Sequence, residues 1–422
     1  MARFLEGLPR HGWNAVVLTQ PCPPWLPRDE THLSVLGPPH RAVRVPSFYP
    51  LSMLLDSRRW VLARLRALLK RAQGGDGCTS GGDTSAALGR FERLWNWFAV
   101  PDYVANWQLT ATPVGCLLGL RCQVVLASAP TWTPLLVAYD ISRVTGRPLI
   151  VDMRDPWTIG GLATTGPPWR VRWDSRMEER IFRHAARVIC NTDTAREAYA
   201  RKYPDLATRL TVIPNGYTPW EVGPCPPHIH PSLFQLVHVG NVTSAARDPA
   251  TLFAGVQRFL ADCPAVGDHL KLTFIGALRA DHLERAIGLG LGAYIEAAGP
   301  VPHKVALDCM SHAPVLLLLG EVGQGSKYTI QGKAYEYLAA QRPILGILPA
   351  DGANADIIRR YNAGMVAEIT RPEAVAEALA EAYRLWQRGL LPCGERAPTE
   401  FSLEILTGRL VSLLEEAARP LC

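Results

Sequence analysis

The sequence contains no run of about 20 uninterrupted apolar residues, the length that a membrane-spanning helix requires. Its N-terminus also lacks the charged and then apolar segments of a signal peptide. We therefore expect a cytoplasmic protein.

The ten cysteines are scattered, and the closest pair, Cys116 and Cys122, has no further Cys or His at metal-ligand spacing. Reduced thiols and no bound metal are expected.

Charge of one sign is also scarce, because the net charge is only +6 over 422 residues. A nucleic-acid partner would need a basic face with interleaved aromatic residues, and we expect none. The exception is residues 58–71, RRWVLARLRALLKR, with six Arg/Lys, no acid and leucines at helical spacing. This basic helix either contacts anionic lipid at the inner face of the membrane or packs its leucines on its own domain. The second interpretation is favoured.

The hydrophobic content of 48% and the length together predict two domains of about 200 residues each. Apolar runs rich in β-branched residues alternate with helical segments in both halves, as in a parallel sheet with crossover helices. The predicted strands are residues 15–19, 124–127, 149–152, 188–191 and 210–213, followed by 236–240, 270–276, 315–319, 343–347 and 364–368. The predicted fold class is α/β, with two Rossmann-like domains and a cleft between them.

A domain boundary is predicted near residue 220, within residues 214–232, which are crowded with Pro and Gly and have no periodicity. The predicted domains are residues 1–217 and 218–401. The first contains a Gly/Ser-rich segment, about residues 74–89, that we expect to be mobile. Residues 402–422 form an amphipathic helix that must pack elsewhere, and the N-terminal domain is one candidate.

Polar residues follow several of the predicted strands, where ligands bind in open parallel sheets. Residues 152–157, DMRDPW, follow one strand, and residues 214–216, PNG, follow another. Lys333 and Glu336 lie three residues apart on one face of a predicted helix near its start. Near the start of a helix, a cation can reach a bound diphosphate and a carboxylate can accept both hydroxyls of a ribose. The same spacing is also typical of a solvated ion pair.

Taken in order, these motifs resemble the GT-B glycosyltransferases of family 4. The resemblance rests on residues 212–216, VIPNG, residues 239–241, VGN, and residues 333–340, KAYEYLAA, which is similar to the family's donor helix. A subgroup of the family also shows Pro101-Asp102 with Trp107, Ser128-Ala129-Pro130 and residues 152–157 in this order. The resemblance extends from residue 1 to about residue 385 and implies a retaining glycosyltransferase that uses a sugar nucleotide.

The resemblance also implies roles for particular residues. Glu336 binds the ribose, Lys333 and Arg247 lie near the phosphates, and residues 320–327 wrap the donor sugar. The implied donor-binding set is Asn241, Arg247, Gly276, Val301, Gly323, Gln324, Lys333 and Glu336. Arg154 and Asp155 are the implied catalytic residues, and Ser128, Pro130, Thr131 and Trp157 are the implied acceptor side. No metal or cofactor is implied besides the nucleotide sugar, and the acceptor is a glycan, a lipid-linked glycan or another small molecule.

Several residues depart from the family pattern. Tyr328 stands where the family has the first of two glutamates, and Asn241 replaces a common basic residue. The usual N-terminal histidine has no evident counterpart, so no base is assigned. Residues 1–13 read as the end of the family's first helix, so the first strand and its glycine loop are expected to be missing, with a late start codon as the favoured cause.

Two alternatives remain open beside an active transferase. One is a catalytically impaired GT-B protein that serves as a partner or scaffold. The other is a sugar-nucleotide 2-epimerase, whose acid/base carboxylates and histidine the sequence does not display.

Overall fold

The computed structural model describes residues 2–21, 38–47, 100–160, 167–244, 246–392, 394 and 397–419. The predicted basic helix at residues 58–71 and the predicted mobile segment at residues 74–89 lie outside these ranges. Membrane contact through the basic helix therefore stays a prediction. Within the described ranges, no helix has both the length and the apolar character needed to cross a membrane.

The chain forms two compact units. One comprises Met1–Asp152, Thr165–Arg187 and Leu414–Cys422, and the other comprises Met153–Thr164 and Val188–Leu413. The domain limits predicted from the sequence stay a prediction.

The first unit begins with helix α1 (Ala2–Gly7) and a parallel pair of strands, β1 (Val16–Thr19) and β2 (Arg41–Arg44). The elements that follow in the first half of the chain are α2 (Trp107–Gly119), β3 (Val125–Ala129), α3 (Thr133–Thr145), β4 (Leu149–Met153), α4 (Pro168–His184), β5 (Arg187–Cys190), α5 (Asp193–Lys202) and β6 (Leu210–Val212). Strands β3 to β6 form a four-stranded sheet in chain order, and β5 and β6 are parallel.

Helices α2 and α3 pack closely because small residues of α2 face α3. A Cβ atom on Gly115 would lie only 2.2 Å from Ile141 Cδ1, so a larger residue would separate the helices. Trp107, at the start of α2, is buried, and its indole N–H donates to the Val45 carbonyl at 2.9 Å. The tryptophan of the family motif therefore has a packing role in this unit.

The second unit is built on a six-stranded sheet with the order β12-β11-β10-β7-β8-β9, in which all pairs are parallel. Its strands are β7 (Phe234–Val239), β8 (Leu270–Ile275), β9 (Ile295–Gly299), β10 (Val315–Leu319), β11 (Ile344–Leu348) and β12 (Gly364–Glu368). Its helices are α6 (Ala250–Asp262), α7 (Ala280–Gly288), α8 (His303–His312), α9 (Gly332–Ala340), α10 (Ala353–Arg360) and α11 (Pro372–Gln387), and α12 (Leu403–Ala418) ends the chain.

The six-stranded sheet has an apolar core on each face. Leu236 and Leu317 belong to one core cluster, whereas Val237 and Leu316 belong to the other. Successive side chains of a strand point to opposite faces, so neighbours in sequence divide between the two cores. Both faces are covered, which explains why β7, β10 and β11 are buried along their whole length.

Every strand predicted from the sequence is present, with ends shifted by at most two residues, and the α/β fold class is confirmed. The prediction omitted β2 and β9. Strand β9, IEAAG, lies at the edge of the sheet, where a short strand needs little apolar sequence.

The predicted connector carries neither helix nor strand between β6 and β7. Its Tyr217 exchanges backbone hydrogen bonds with the segment before α12, because Tyr217 N donates to Phe401 O and Leu403 N donates to Tyr217 O, both at 3.0 Å. The last turn of α12 is part of the first unit, and within that unit Glu416 pairs with Arg187.

Candidate functional site

The ends of β7 and β8 approach each other closely at two glycines. Gly240 and Gly276 have φ values of +123° and +128°, which side-chain-bearing residues rarely adopt. A Cβ on Gly276 would lie 2.7 Å from the carbonyl carbon and oxygen of Gly240. Beyond them, the Asn241 side chain accepts a hydrogen bond from Ala277 N at 2.9 Å. Gly276, predicted to bind the donor, is thus required for the backbone geometry where β7 and β8 end.

Replacing Gly276 by alanine is expected to lower the free energy of unfolding by about 1–3 kcal/mol, because the new methyl group meets fixed backbone at an unfavourable φ. Gly408→Ala is the matched control, since Gly408 lies inside α12 with open space around its Cβ position. That change should raise the stability by about 0.5–1 kcal/mol. Urea denaturation of both variants measures the difference, and equal stabilities would contradict the close approach.

Lys333 lies at the start of α9 with its side chain directed at the end of β7. Its Nζ is 3.1 Å from His238 Nε2, and a Cβ on Gly240 would lie 2.5 Å from the same Nζ. Burial and, to a smaller extent, the nearby Arg247 cation lower the pKa of Lys333 to about 7, while Glu336 and Glu321 oppose these effects. A negative charge near Nζ would raise this pKa and favour the ammonium form.

One turn later, Tyr337 ties the same face of α9 to the sheet. The backbone N–H of Val239 donates to the Tyr337 hydroxyl at 2.9 Å, and this hydroxyl lies 3.4 Å from the Leu317 carbonyl oxygen. Residues four apart share a helix face, so this contact sets the rotation of α9 that carries Lys333 to β7. Glu336, the residue before Tyr337 in α9, is half-buried.

Arg247 joins the loops that follow β7 and β10. Its guanidinium contacts Glu321 at 2.7 Å and donates to the Asn241 carbonyl at 3.2 Å. Val322 N donates to Ala246 O at 3.0 Å, which holds the two loops together. The Nε of Arg247 is buried and has no hydrogen-bond partner in the part of the chain that the structure describes. A further acceptor, such as a phosphate oxygen, would satisfy it.

The segment between β10 and α9 is held by Asn354 of α10. Its side-chain amide donates to Thr329 O at 3.0 Å, and its amide oxygen accepts from Gln331 N at 3.1 Å. Gly323 and Gln324, predicted to bind the donor sugar, lie in this segment at the start of a short 3₁₀ turn. Val301, also in the predicted donor set, is half-buried just after β9.

The predicted catalytic residues follow β4. Arg154 is almost fully buried, and its guanidinium donates to the Ile213 carbonyl at 3.0 Å. Asn191 completes this network, because its amide donates to Arg154 O at 3.1 Å and accepts from Asn215 N at 2.8 Å. Arg154 thus fixes the PNG motif that follows β6.

Asp155 sits in a different electrostatic setting from its neighbour. Burial raises the pKa of Asp155, the Glu321 carboxylate adds to this increase, and Arg154 opposes it. Asp155 therefore holds a proton more tightly than an exposed aspartate. Trp157, predicted to face the acceptor, is fully buried, and its backbone N–H donates to the Tyr199 hydroxyl at 2.9 Å. Its side chain belongs to the interior packing, and its predicted role stays untested.

The remaining acceptor-side residues belong to the first unit. The Ser128 hydroxyl donates to Asp152 at 2.9 Å, while Pro130 is exposed and Thr131 is half-buried. The helix α3 that follows is capped by Asp102, whose carboxylate accepts from the backbone N–H of Trp132 and Thr133 at 2.6 and 2.9 Å. The Pro101-Asp102 motif therefore positions the loop at the end of β3.

The structure gathers Asn241, Arg247 and Lys333 at the end of β7, and we call these three residues, with His238 and Glu321, the β7-end cluster. His238 was not predicted, and Glu321 was included only as part of residues 320–327. The signal for His238 was a histidine inside an apolar strand, since a buried imidazole requires partners. Among the described residues, no three His, Cys, Asp or Glu side chains form a group that could hold a metal ion.

Comparison with protein families gives two matches. Residues 1–216 match the model of the glycosyl transferase 4-like domain, and residues 235–384 match that of glycosyl transferases group 1. No curated protein matches the chain in sequence.

Solved structures show a similar fold. Sucrose-phosphate synthase from Thermosynechococcus elongatus is 14% identical, with a TM-score of 0.61 over 98% of this chain and 91% of that one. HepE from Anabaena in complex with UDP is 16% identical, with a TM-score of 0.56 over 73% of this chain and 83% of that one. HepE with UDP-glucose is 15% identical, with a TM-score of 0.54 and the same coverage. At these identities the similarity is one of fold.

Proposed function

The chain belongs to the glycosyl transferase 4-like family, its second half being a group 1 glycosyl transferase domain, and on this premise we propose how it acts. It is a glycosyltransferase of the GT-B fold. In our proposal the sugar moves from a nucleoside diphosphate to a hydroxyl group of a glycan, a lipid-linked glycan or another small acceptor, with retention at the anomeric carbon.

The single observation that carries this proposal is the β7-end cluster. Arg247 and Lys333 place two basic side chains beside a glycine turn and the N-terminus of α9, an arrangement that attracts phosphate. Glu321 pairs with Arg247, and in this proposal a diphosphate oxygen takes the place of that carboxylate. In this proposal Glu336, one turn along α9 from Lys333, accepts the ribose hydroxyls.

The proposed chemistry follows from this placement. The bond between the anomeric carbon and the diphosphate oxygen breaks, and the acceptor oxygen forms its bond on the same face. The acceptor proton passes to the departing phosphate, whose negative charge Arg247 and Lys333 stabilise without a metal ion. Asp155 remains the candidate catalytic residue, and Arg154, also predicted to be catalytic, would act as a positioning residue through the 213–215 segment.

Uridine is the first candidate for the donor base, because HepE, a protein of similar fold, was solved with UDP and with UDP-glucose. We expect UDP or its sugars to raise the melting temperature more than GDP or dTDP compounds do. A ligand at 100 times its Kd adds about 2.7 kcal/mol to stability, which is readily measured. A screen repeated in EDTA tests the metal-free proposal, which predicts the same shifts.

The outcomes of this screen separate the alternatives. Binding with release of nucleoside diphosphate on addition of an acceptor supports transfer. Binding without release for any acceptor favours the non-catalytic partner protein, and interconversion of the bound sugar favours the epimerase. No thermal shift with any nucleotide would contradict donor binding itself.

A further inference from the structure

His238 lies within β7 and is fully buried, although the strand around it is apolar. Its Nδ1 is 2.9 Å from the Leu317 carbonyl oxygen, and a carbonyl oxygen only accepts hydrogen bonds. Nδ1 therefore carries the proton. In the neutral ring, Nε2 then presents a lone pair to Lys333 Nζ, 3.1 Å away.

The imidazole stays neutral in this position. Burial holds the pKa of His238 well below its usual value, and the Lys333 and Arg247 cations lower it further, against the hydrogen bond to Leu317. A ring that does not gain a proton near pH 7 acts as a fixed hydrogen-bond acceptor. The Leu317 carbonyl of β10 fixes the orientation of the imidazole, and the Lys333 amine that the imidazole contacts belongs to α9.

Lys333 is faced by charged groups from each neighbouring element. These groups are Arg247 from the loop after β7, Glu321 from the loop after β10 and Glu336 from α9 itself. Burial and Arg247 prevail over the two carboxylates, so the pKa of Lys333 falls to about 7. A diphosphate beside Nζ would add negative charge and favour the ammonium form.

We propose that His238 is a positioning residue that holds Lys333 at the Gly240 turn, and that the donor diphosphate binds there with uptake of one proton by Lys333. The second half of this proposal rests on the proposed function, whereas the first half rests on the contacts of His238 and Lys333. In chemical terms, the neutral amine takes a proton from solvent and becomes the ammonium ion that contacts the phosphate.

The first test uses no nucleotide. The rate at which an acylating reagent labels the Lys333 side chain is measured against pH by mass spectrometry, in wild type and in His238 variants. Wild type should show a midpoint near 7. In His238→Leu, the Lys333 ammonium form loses a hydrogen-bond acceptor and faces an apolar side chain instead, so the midpoint should fall by at least about one pH unit.

His238→Gln supplies another acceptor and should restore much of the wild-type midpoint, even if the leucine variant folds poorly. His282→Leu is the matched control, because His282 is also buried but lies on α7, and it should leave the Lys333 midpoint unchanged. A wild-type midpoint near the ordinary lysine value, or the same midpoint in wild type and His238→Leu, would overturn the positioning role.

The second test is calorimetry of wild type with UDP, GDP and dTDP at pH 8, in two buffers that differ in ionisation enthalpy. A pKa of about 7 in the free protein predicts an uptake of about 0.9 proton per bound diphosphate, and Lys333→Met should abolish it. Binding without proton uptake would overturn the second half of the proposal. Failure of all three to bind would overturn the proposed function, while the labelling midpoint still decides the role of His238.

Discussion

Replacing Glu336 by glutamine is expected to lower kcat/KM by about two to three orders of magnitude while the melting temperature changes little. A carboxylate accepts two hydroxyl protons, whereas an amide presents one acceptor oxygen. Hydrogen bonds to charged groups contribute about 1.5–3 kcal/mol each. The glutamine has the same shape, so packing around the half-buried side chain is preserved. Steady-state kinetics with the donor found by the thermal-shift screen measures the effect.

The control for this variant is Glu377→Gln on α11. It makes the same change of charge on an exposed helix position in the same unit and should leave kcat/KM within about twofold. If Glu336→Gln retains full turnover, or loses activity only because the protein unfolds, Glu336 has no part in donor binding.

Arg247→Gln is expected to raise the Kd for nucleoside diphosphate by about ten- to a hundredfold. The guanidinium contacts Glu321 and the Asn241 carbonyl, and its buried Nε has no hydrogen-bond partner among the described residues, so it has a donor for a phosphate. Loss of a charged, partly buried hydrogen-bonding partner weakens binding by about 2 kcal/mol or more. Glu321 is left half-exposed and can be solvated, so the fold should remain stable.

Arg258→Gln serves as the comparison for Arg247. Arg258 pairs with Glu373 on the surface at 2.8 Å, where an ion pair contributes little, and its replacement should leave the Kd unchanged. Isothermal titration of both variants provides the measurement. Equal affinities of Arg247→Gln and wild type would remove Arg247 from the donor site.

Prediction from sequence was most accurate where a local pattern had one physical meaning. The apolar run at residues 315–319 is too short for a typical helix and is bounded by proline and glycine, which favours a buried strand, and β10 spans those residues. Lys333 and Glu336 were placed near the start of a helix, and α9 begins at Gly332. Strands β2 and β9 were missed because edge strands need little apolar sequence.

Side chains of the candidate site were harder to assign. The family resemblance implied that Arg154 is catalytic and that Trp157 lies on the acceptor side, and both roles stay predictions. In the structure the Arg154 guanidinium reaches a carbonyl 59 residues further along the chain, and the Trp157 side chain is buried. A strand-end position indicates that a residue is near the site, but its partners decide whether it faces a ligand or supports the backbone.

By itself, the sequence determined the α/β class, the order of the strands along the chain and the helix that carries Lys333 and Glu336, because periodicity and chain breakers act over a few residues. Only the tertiary structure decided that β10 lies beside β7 and that His238 meets a lysine 95 residues away. Strand order depends on how whole elements pack, which no local pattern encodes. The electrostatics of Lys333 follow from that packing.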